Sequence, residues 1–301
     1  MITVSYLVPL YNKEDFIEEC IESILQEESE QFEIEICIVD DGSIDSSLKI
    51  VQEKYSSNER IKVAGFPKNK GKNAAFNKAF EMSTGDYICL FGADDIVIKG
   101  RTGKLLECSI NNSNKAAYGG LIAKNENLTD ELYRSLPLEQ NLYTITMANG
   151  LSGGCVLIPR ALCINIFPIP EKLKFEDWWI AYFLVKNNNY IILKEFVTNY
   201  RIGSNNDCAF QNDHMDALYD AVLKDYQRHI DYLEKIKEED SLNPYLDKSF
   251  DLRNALLDKK VNKFLYLKNF DVYSLKIILF KLFGAKVVYR FLNFLKNIRY
   301  K

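Results

Sequence analysis

The sequence predicts an α/β fold, a mostly parallel sheet flanked by helices, followed by a C-terminal helical extension. Three observations predict it. Over residues 1–91, short apolar runs alternate with segments that are apolar at helical spacing. The connections between them are short, as in βαβ units. From about Asp213 the strand-like runs stop and only helical periodicity remains. The domain reading is therefore an α/β domain over residues 1–210 and a helical extension over residues 211–301.

Residues 2–9, ITVSYLVP, read as a buried β-branched strand. Asn12 is placed to cap a helix carrying Phe16, Ile17, Cys20, Ile21, Ile24 and Leu25 at helical spacing. A second strand, 34–39, ends at Asp40-Asp41-Gly42-Ser43, and a helix from about Asp45 carries Leu48, Ile50 and Val51. A short strand at 61–64 leads through Asn69-Lys70-Gly71 into a helix ending near Met82. The strand 86–91 then opens into Gly92-Ala93-Asp94-Asp95. Residues 112–150 are polar and read as loops around a strand at 116–123. A glycine-led strand is expected over 152–160, a helix from Phe175 to Lys186, and two strands at 190–193 and 196–201. Ligands of such sheets bind beyond the carboxyl ends of the strands. Three polar signatures fall there: Pro9 to Asn12, Asp40 to Ser43, and Asp94-Asp95.

The net charge of −4 over 301 residues selects no partner class, and no nucleic-acid partner is expected. The seven cysteines are scattered without a CxxC or Cys/His cluster, so neither zinc nor a disulfide framework is expected. The first residues run directly into a strand pattern without a basic-then-apolar leader, and no run of about 20 apolar residues occurs. A cytoplasmic chain is the expectation. Between Lys259 and Lys301, eleven Lys or Arg stand against one Asp, interleaved with apolar residues. That pattern fits a basic amphipathic helix on the inner face of a membrane, or a helical cap with a solvated basic face.

Each polar signature has two readings. Asp40-Asp41-Gly42-Ser43 is either an ordinary turn, with Ser43 or Asp45 capping the next helix, or a hydrogen-bonding site for a ligand's N–H and hydroxyl groups. Asp94 and Asp95 suit a hard divalent cation, Mg²⁺ or Mn²⁺, shared with phosphate. The alternative is a surface turn in which an acid caps the helix after Lys99. Glu176-Asp177 opens a helix, where acids are favoured by the dipole, or supplies a general base. Trp178 and Trp179 either pack in the core or present an indole to a sugar face.

Taken in order, VPLYNKEDFIEECIESIL, IVDDGSIDSS, NKGKNAAFNKAFEMSTGDYICLFGADD, GGCVLIPR, FEDWW and YRIGSNN resemble the family 2 glycosyltransferases with the GT-A fold. The resemblance covers roughly residues 1–205. It implies inverting transfer of a sugar from a nucleotide-diphosphate donor, a UDP-sugar foremost, to a hydroxyl of a saccharide or lipid-linked acceptor. Carried over residue by residue, Pro9, Tyr11 and Asp41 surround the base with Asp40 nearby, and Gly71 and Lys72 lie by the nucleotide at a helix N-terminus. Asp94 becomes the metal and diphosphate acid, with Asp95 supporting it. Gly153, Gly154, Glu176 and Trp178 line the sugar and acceptor cleft, and Asp177 is the catalytic base.

The chain departs from the family pattern at three places. Gly92 stands where a first acid of Asp-x-Asp-Asp is common, Phe76 where an Arg is common, and Gly203 where a metal-binding His is common. His214 is the nearest imidazole in sequence. These departures keep two other readings open. One is a non-catalytic nucleotide-sugar-binding or scaffold subunit of a polysaccharide-synthesis complex. The other is a nucleotidyltransferase, disfavoured because no glycine-rich, basic phosphate loop follows the first strand.

Overall fold

The structure is a computed structural model that describes residues 1–203 and 215–257. His214 and the basic segment after Lys259 lie outside the described residues. Contacts divide the chain into two compact units. One is residues 1–141 with 149–203; the other, among the described residues, is 142–148 with 215–257.

The first unit is built on one sheet. Its opening half follows the βαβ expectation. Strand β1 (Ile2–Leu10) pairs in parallel with β2 (Phe32–Asp40) on one side and β4 (Tyr87–Leu90) on the other, and β3 (Ile61–Gly65) extends β2. Helices α1 (Ile17–Leu25), α2 (Ser47–Tyr55) and α3 (Lys72–Met82) make the crossovers. Strands β1, β2 and β4 are largely buried on both faces, which is why they read as continuous apolar runs. Val4, Tyr6, Val8, Ile36 and Ile38 pack with Ile17, Cys20, Ile21 and Ile24 of α1 in the main core. Each fully buried aliphatic side chain of this kind contributes roughly 1.5–3 kcal/mol.

The second half is mixed: after the all-parallel β1 to β4, antiparallel pairs surround one further parallel pair, β6 with β9. The order is β3-β2-β1-β4-β8-β6-β9-β5, with β7 (Glu131–Ser135) beside β6. Strand β8 (Val156–Pro159) runs antiparallel to β4, and β6 (Ala116–Asn125) antiparallel to β8. β6 is parallel to β9 (Tyr190–Ile202), and β9 is antiparallel to β5 (Ile96–Val97). The reason lies ahead of β8. Gly153–Cys155 form a 3-10 turn, not the start of a strand, and this turn stands by β4's carboxyl end. A strand leaving that end must run back along β4. Residues 190–202 form one continuous strand rather than two, with register shifts against β6 near Gly120. The 112–150 stretch is also more ordered than a loop reading allowed, since β7 and α5 (Leu142–Met147) fall in it.

Glu35 ties the parallel strands together. It accepts hydrogen bonds from Ser5 Oγ (2.5 Å), Thr84 N (2.8 Å) and Thr84 Oγ1 (2.8 Å), and pairs with Lys62 (2.5 Å). Burial pushes its carboxyl up, but Lys62, Ser5 and Thr84 outweigh this and hold it at about 2.

In the second unit, α8 (Met215–Glu239) and α9 (Leu246–Leu257) pack together, and α5 packs on α9. Asn243 Nδ2 donates to Thr146 Oγ1 (2.8 Å), and Ser249 Oγ donates to the Thr146 carbonyl (2.8 Å). No described helix is long and apolar enough to cross a membrane.

Candidate active site

At the carboxyl ends of β1, β2 and β4 the first two connections are locked to each other. Asn12 takes a left-handed backbone (φ 51°), which Asn tolerates, and its side chain does not cap α1. Instead Asn12 Oδ1 accepts the Ile44 N–H (2.9 Å), and Ser43 Oγ accepts the Asn12 N–H (3.0 Å). Lys13 N–H reaches Ser47 Oγ (2.7 Å), and Asp45 Oδ2 accepts the Glu14 N–H (3.1 Å). Asp45 also caps α2 through the Ser47 N–H (3.0 Å).

The two acids that end β2 do different work. Both are buried, at 2% exposure. Asp41 is consumed by backbone: its oxygens accept the Lys70 N–H (2.7 Å) and the Gly71 N–H (2.9 Å). The amides ahead of α3 thus already meet an anion, the protein's own carboxylate. Asp40 Oδ2 accepts the Gly42 and Ser43 N–H groups (3.2 and 3.1 Å), while its Oδ1 is buried without a hydrogen-bond partner. An acceptor in that state costs free energy unless something donates to it. Tyr11, 42% exposed, follows β1 on the same rim, and Pro9 is half-buried.

After β4 come the paired acids. Asp94 Oδ2 lies 2.6 Å from Lys13 Nζ. Asp95 is buried, and its Oδ1 accepts the Arg201 N–H (3.0 Å). Burial and the neighbouring Asp94 carboxylate push Asp95 well above the ordinary carboxylate range. Asp95 does not cap the helix after Lys99. Helix α4 (Arg101–Asn111) is capped by Glu27, which accepts the Gly100 N–H (2.6 Å) and Thr102 N–H (2.7 Å). A Cβ on Gly92 would stand 2.8 Å from Asp95 Oδ2 and 3.1 Å from Asp94 Oδ1, so the space of a side chain at 92 is filled by these carboxylates. At Gly203 a Cβ would meet the Glu126 side chain at 2.6 Å. Among the described residues no group of three or more His, Cys, Asp or Glu is arranged to hold an ion. The donor set fits a hard cation that takes a single protein carboxylate, Asp94, and completes its shell from phosphate and water.

The remaining wall is α7 (Glu176–Lys186). Residues 169–173 are stapled to α3: Asn73 Nδ2 donates to the Pro170 and Leu173 carbonyls (2.9 and 2.7 Å), and Asn77 exchanges two bonds with Ile169 (2.7 and 2.8 Å). Phe76, where an Arg was the family expectation, is buried. Asp177 Oδ1 accepts the Trp178 N–H (2.7 Å), and a Cβ on Gly153 would lie 3.1 Å from Asp177 Cβ. A Cβ on Gly154 would lie 3.9 Å from Asp95 Oδ2. The glycine turn therefore bridges the two acidic centres. Burial first, and the adjacent Glu176 carboxylate second, push Asp177 up to about 7 against Lys72, the Trp178 N–H and the Asn149 side chain. Trp178 and Trp179 are 3% and 4% exposed, so neither indole is an open platform. Helix α7 is apolar nearly all round, and both rings fall inside.

Sequence reasoning passed over four residues at this rim. Lys13 pairs Asp94. Arg201 donates from Nε to the Asp94 carbonyl (2.7 Å), pairs with Glu19 (2.6 Å) and stacks on Phe16 at 4.6 Å. Arg101 is fully buried, with Nη1 on the Gly154 carbonyl (2.7 Å) and its guanidinium 4.9 Å from the Phe91 ring. Tyr118 on β6 is fully buried with no hydrogen-bond partner on its hydroxyl. Lys13 and Arg201 lay inside the quoted motifs; nothing in the sequence marked Arg101 or Tyr118.

Residues 5–167, more than half of the chain, match the sequence profile described as "Glycosyl transferase family 2". The chain belongs to this family. Among curated family relatives, "Chondroitin synthase" of Escherichia coli is 38% identical over 94 residues, 31% of this chain and 13% of that protein. "Chondroitin synthase" of Pasteurella multocida is 26% identical over 269 residues, 78% of this chain and 27% of that protein. The chain thus spans well under half the length of these two relatives. Among solved structures, TarS 1-349 of S. aureus, in complex with UDP-GlcNAc, superposes with a TM-score of 0.58 at 20% identity. The superposition covers 94% of this chain and 80% of that one. That likeness shows the fold, and the family 2 chain described here has the GT-A architecture.

Proposed function

We propose that this family 2 glycosyltransferase transfers a sugar from a UDP-sugar to a hydroxyl of a saccharide or lipid-linked acceptor, with inversion. The observation that carries the reading is Asp177. It is a partly buried carboxyl pushed up to about 7, backed by the Gly153-Gly154 turn and on the same rim as Asp40 and Asp94. A base with that affinity is matched to a proton that must be taken near neutral pH.

In this reading Asp40 Oδ1 accepts the N–H of the base, which supplies its missing donor, and the Tyr11 ring covers the base. Asp41 holds Lys70 and Gly71 in place and does not touch the nucleotide. Asp94, released from Lys13, would hold a divalent cation. When bound, that cation would supply charge neutralisation for the departing diphosphate. Asp177 takes the proton of the acceptor hydroxyl as it attacks the anomeric carbon, on the face opposite the leaving group. The buried rings of α7 exclude water from that side. TarS is described with UDP-GlcNAc, and curated relatives are named "Chondroitin synthase" and, in Bacillus subtilis, "Putative teichuronic acid biosynthesis glycosyltransferase TuaG", which supports the donor and acceptor classes.

A panel of nucleotide sugars, with and without Mn²⁺, tests the reading. UDP-sugar turnover by the wild type is expected. Asp177→Asn is expected to lose at least about 100-fold in kcat while keeping nucleotide affinity, in line with removal of a general base. Nucleotide binding without turnover, unchanged by that substitution, would make the chain a binding subunit instead. We place the protein in the cytoplasm, at the inner membrane face through its basic C-terminal segment. Absence of enrichment on anionic liposomes in a flotation assay would refute the membrane part.

A further inference from the structure

An ion pair joins the nucleotide-side helix to the base-side helix. Lys72, the first residue of α3, places Nζ 2.7 Å from Oε1 of Glu176, the first residue of α7. Glu176 is 14% exposed and stands next to Asp177 in the chain. Both ends are anchored without this pair. The turn before Lys72 is held by Asp41 on the Lys70 and Gly71 amides, with Gly71 at φ 102°. The segment entering α7 is held by Asn73 and Asn77. The Lys72 side chain is therefore not needed to hold the helices.

Two carboxylates at adjacent positions of a half-buried helix start cannot both ionise cheaply, and a cation against one of them decides which carries the charge. We propose that Lys72 is a positioning residue for Asp177: its ammonium keeps Glu176 ionised, so that Asp177 is the acid that exchanges a proton with the acceptor hydroxyl. This rests on the transferase reading for its consequence, not for its measurement. The groups facing Asp177 come from four elements: Glu176 and the Trp178 N–H on α7, Lys72 on α3, the Asn149 side chain before the glycine turn, and Tyr118 on β6. Glu176 and Lys72 are the two charges in that set. The value of about 7 for Asp177 agrees with this division.

The test reads the carboxyl directly. In full-length protein labelled with ¹³C at Asp and Glu carboxyls, the Asp177 signal is assigned by its loss in Asp177→Asn. It is then titrated in wild type, Lys72→Met, Glu176→Gln and the double variant. Lys72→Met is expected to make the Glu176 and Asp177 signals titrate together over two shared steps, so that part of the Asp177 signal moves about one pH unit below its wild-type midpoint. Glu176→Gln is expected to lower the Asp177 midpoint below wild type, and adding Lys72→Met in that background is expected to leave a single step, moved upward by the loss of the ammonium alone. Lys72→Arg is expected to restore the wild-type midpoint. Equal shifts from Lys72→Met in both backgrounds would overturn the proposal. So would an unmoved Asp177 midpoint with a raised KM for the donor, which would make Lys72 a donor contact. The acid limb of kcat/KM follows the same order if the transferase reading holds. If no donor turns over, the titration still decides the role of Lys72, and the transferase reading fails separately.

Discussion

Asp177 is held against its own charge, and this gives a stability signature independent of activity. A carboxyl raised from about 4 in the unfolded chain to about 7 in the native state binds more protons when folded at intermediate pH. Native stability therefore falls as pH rises from about 4 through about 7, and levels off above. Asp177→Asn removes that penalty. Its thermal midpoint is expected to exceed wild type at pH 8 and to approach it at pH 5, by calorimetry at both values, even as turnover is lost. Asp94 is a different case, since its carboxylate is paired with Lys13. Asp94→Asn is expected to remove the Mn²⁺ dependence of UDP affinity, measured by calorimetric titration, with uridine affinity unchanged. The candidate acids were legible as residue types at strand ends. Their division of labour was not: that Asp41 is spent on amides while Asp40 keeps a free oxygen depends on where residues 68–71 come to lie.

The connections after β1 and β2 behave as one element. Gly42 sits at φ 75°, and a Cβ there would stand 2.7 Å from backbone atoms of Lys68 and Asn69. Gly42→Ala is expected to cost more than about 1 kcal/mol, since a left-handed backbone and a backbone clash are imposed together. It is also expected to weaken UDP binding, because the same loop carries Asp40 and Asp41; urea denaturation with nucleotide titration reads both. Glu35 offers a control at the same scale. Its carboxyl, held at about 2, contributes stability present above about pH 4.3 and lost as pH falls through about 2. Glu35→Gln is expected to cost about 1–3 kcal/mol, through unmet partners at Ser5, Thr84 and Lys62.

For the whole molecule, the proposed donor should act as a stabiliser of the α/β unit. At about 100 Kd of UDP the linkage contribution is about 2.7 kcal/mol. An upward shift of several degrees in the thermal midpoint is expected, with no shift for a purine nucleotide at the same concentration. An equal shift with both would place the base contact elsewhere than Asp40. The rim that makes this possible is assembled from positions far apart in the chain. Lys13 meets Asp94, Lys72 meets Glu176, and Gly153 backs Asp177.

The sequence by itself determined the α/β class, the three parallel crossovers of the first half and the acids at the strand ends. Each of these is a local property: apolar period, turn chemistry and residue type within a few positions. Only the tertiary structure decided the mixed second half of the sheet, because strand direction leaves no mark in an apolar run. It also decided the burial of both tryptophans and the carboxylates filling the space beside Gly92. The pairing of Lys13 and Lys72 with acids about 80 and 100 residues away is of the same kind. Charge pairs of that span form through packing, and the interaction between them depends on distances that no spacing along the chain encodes.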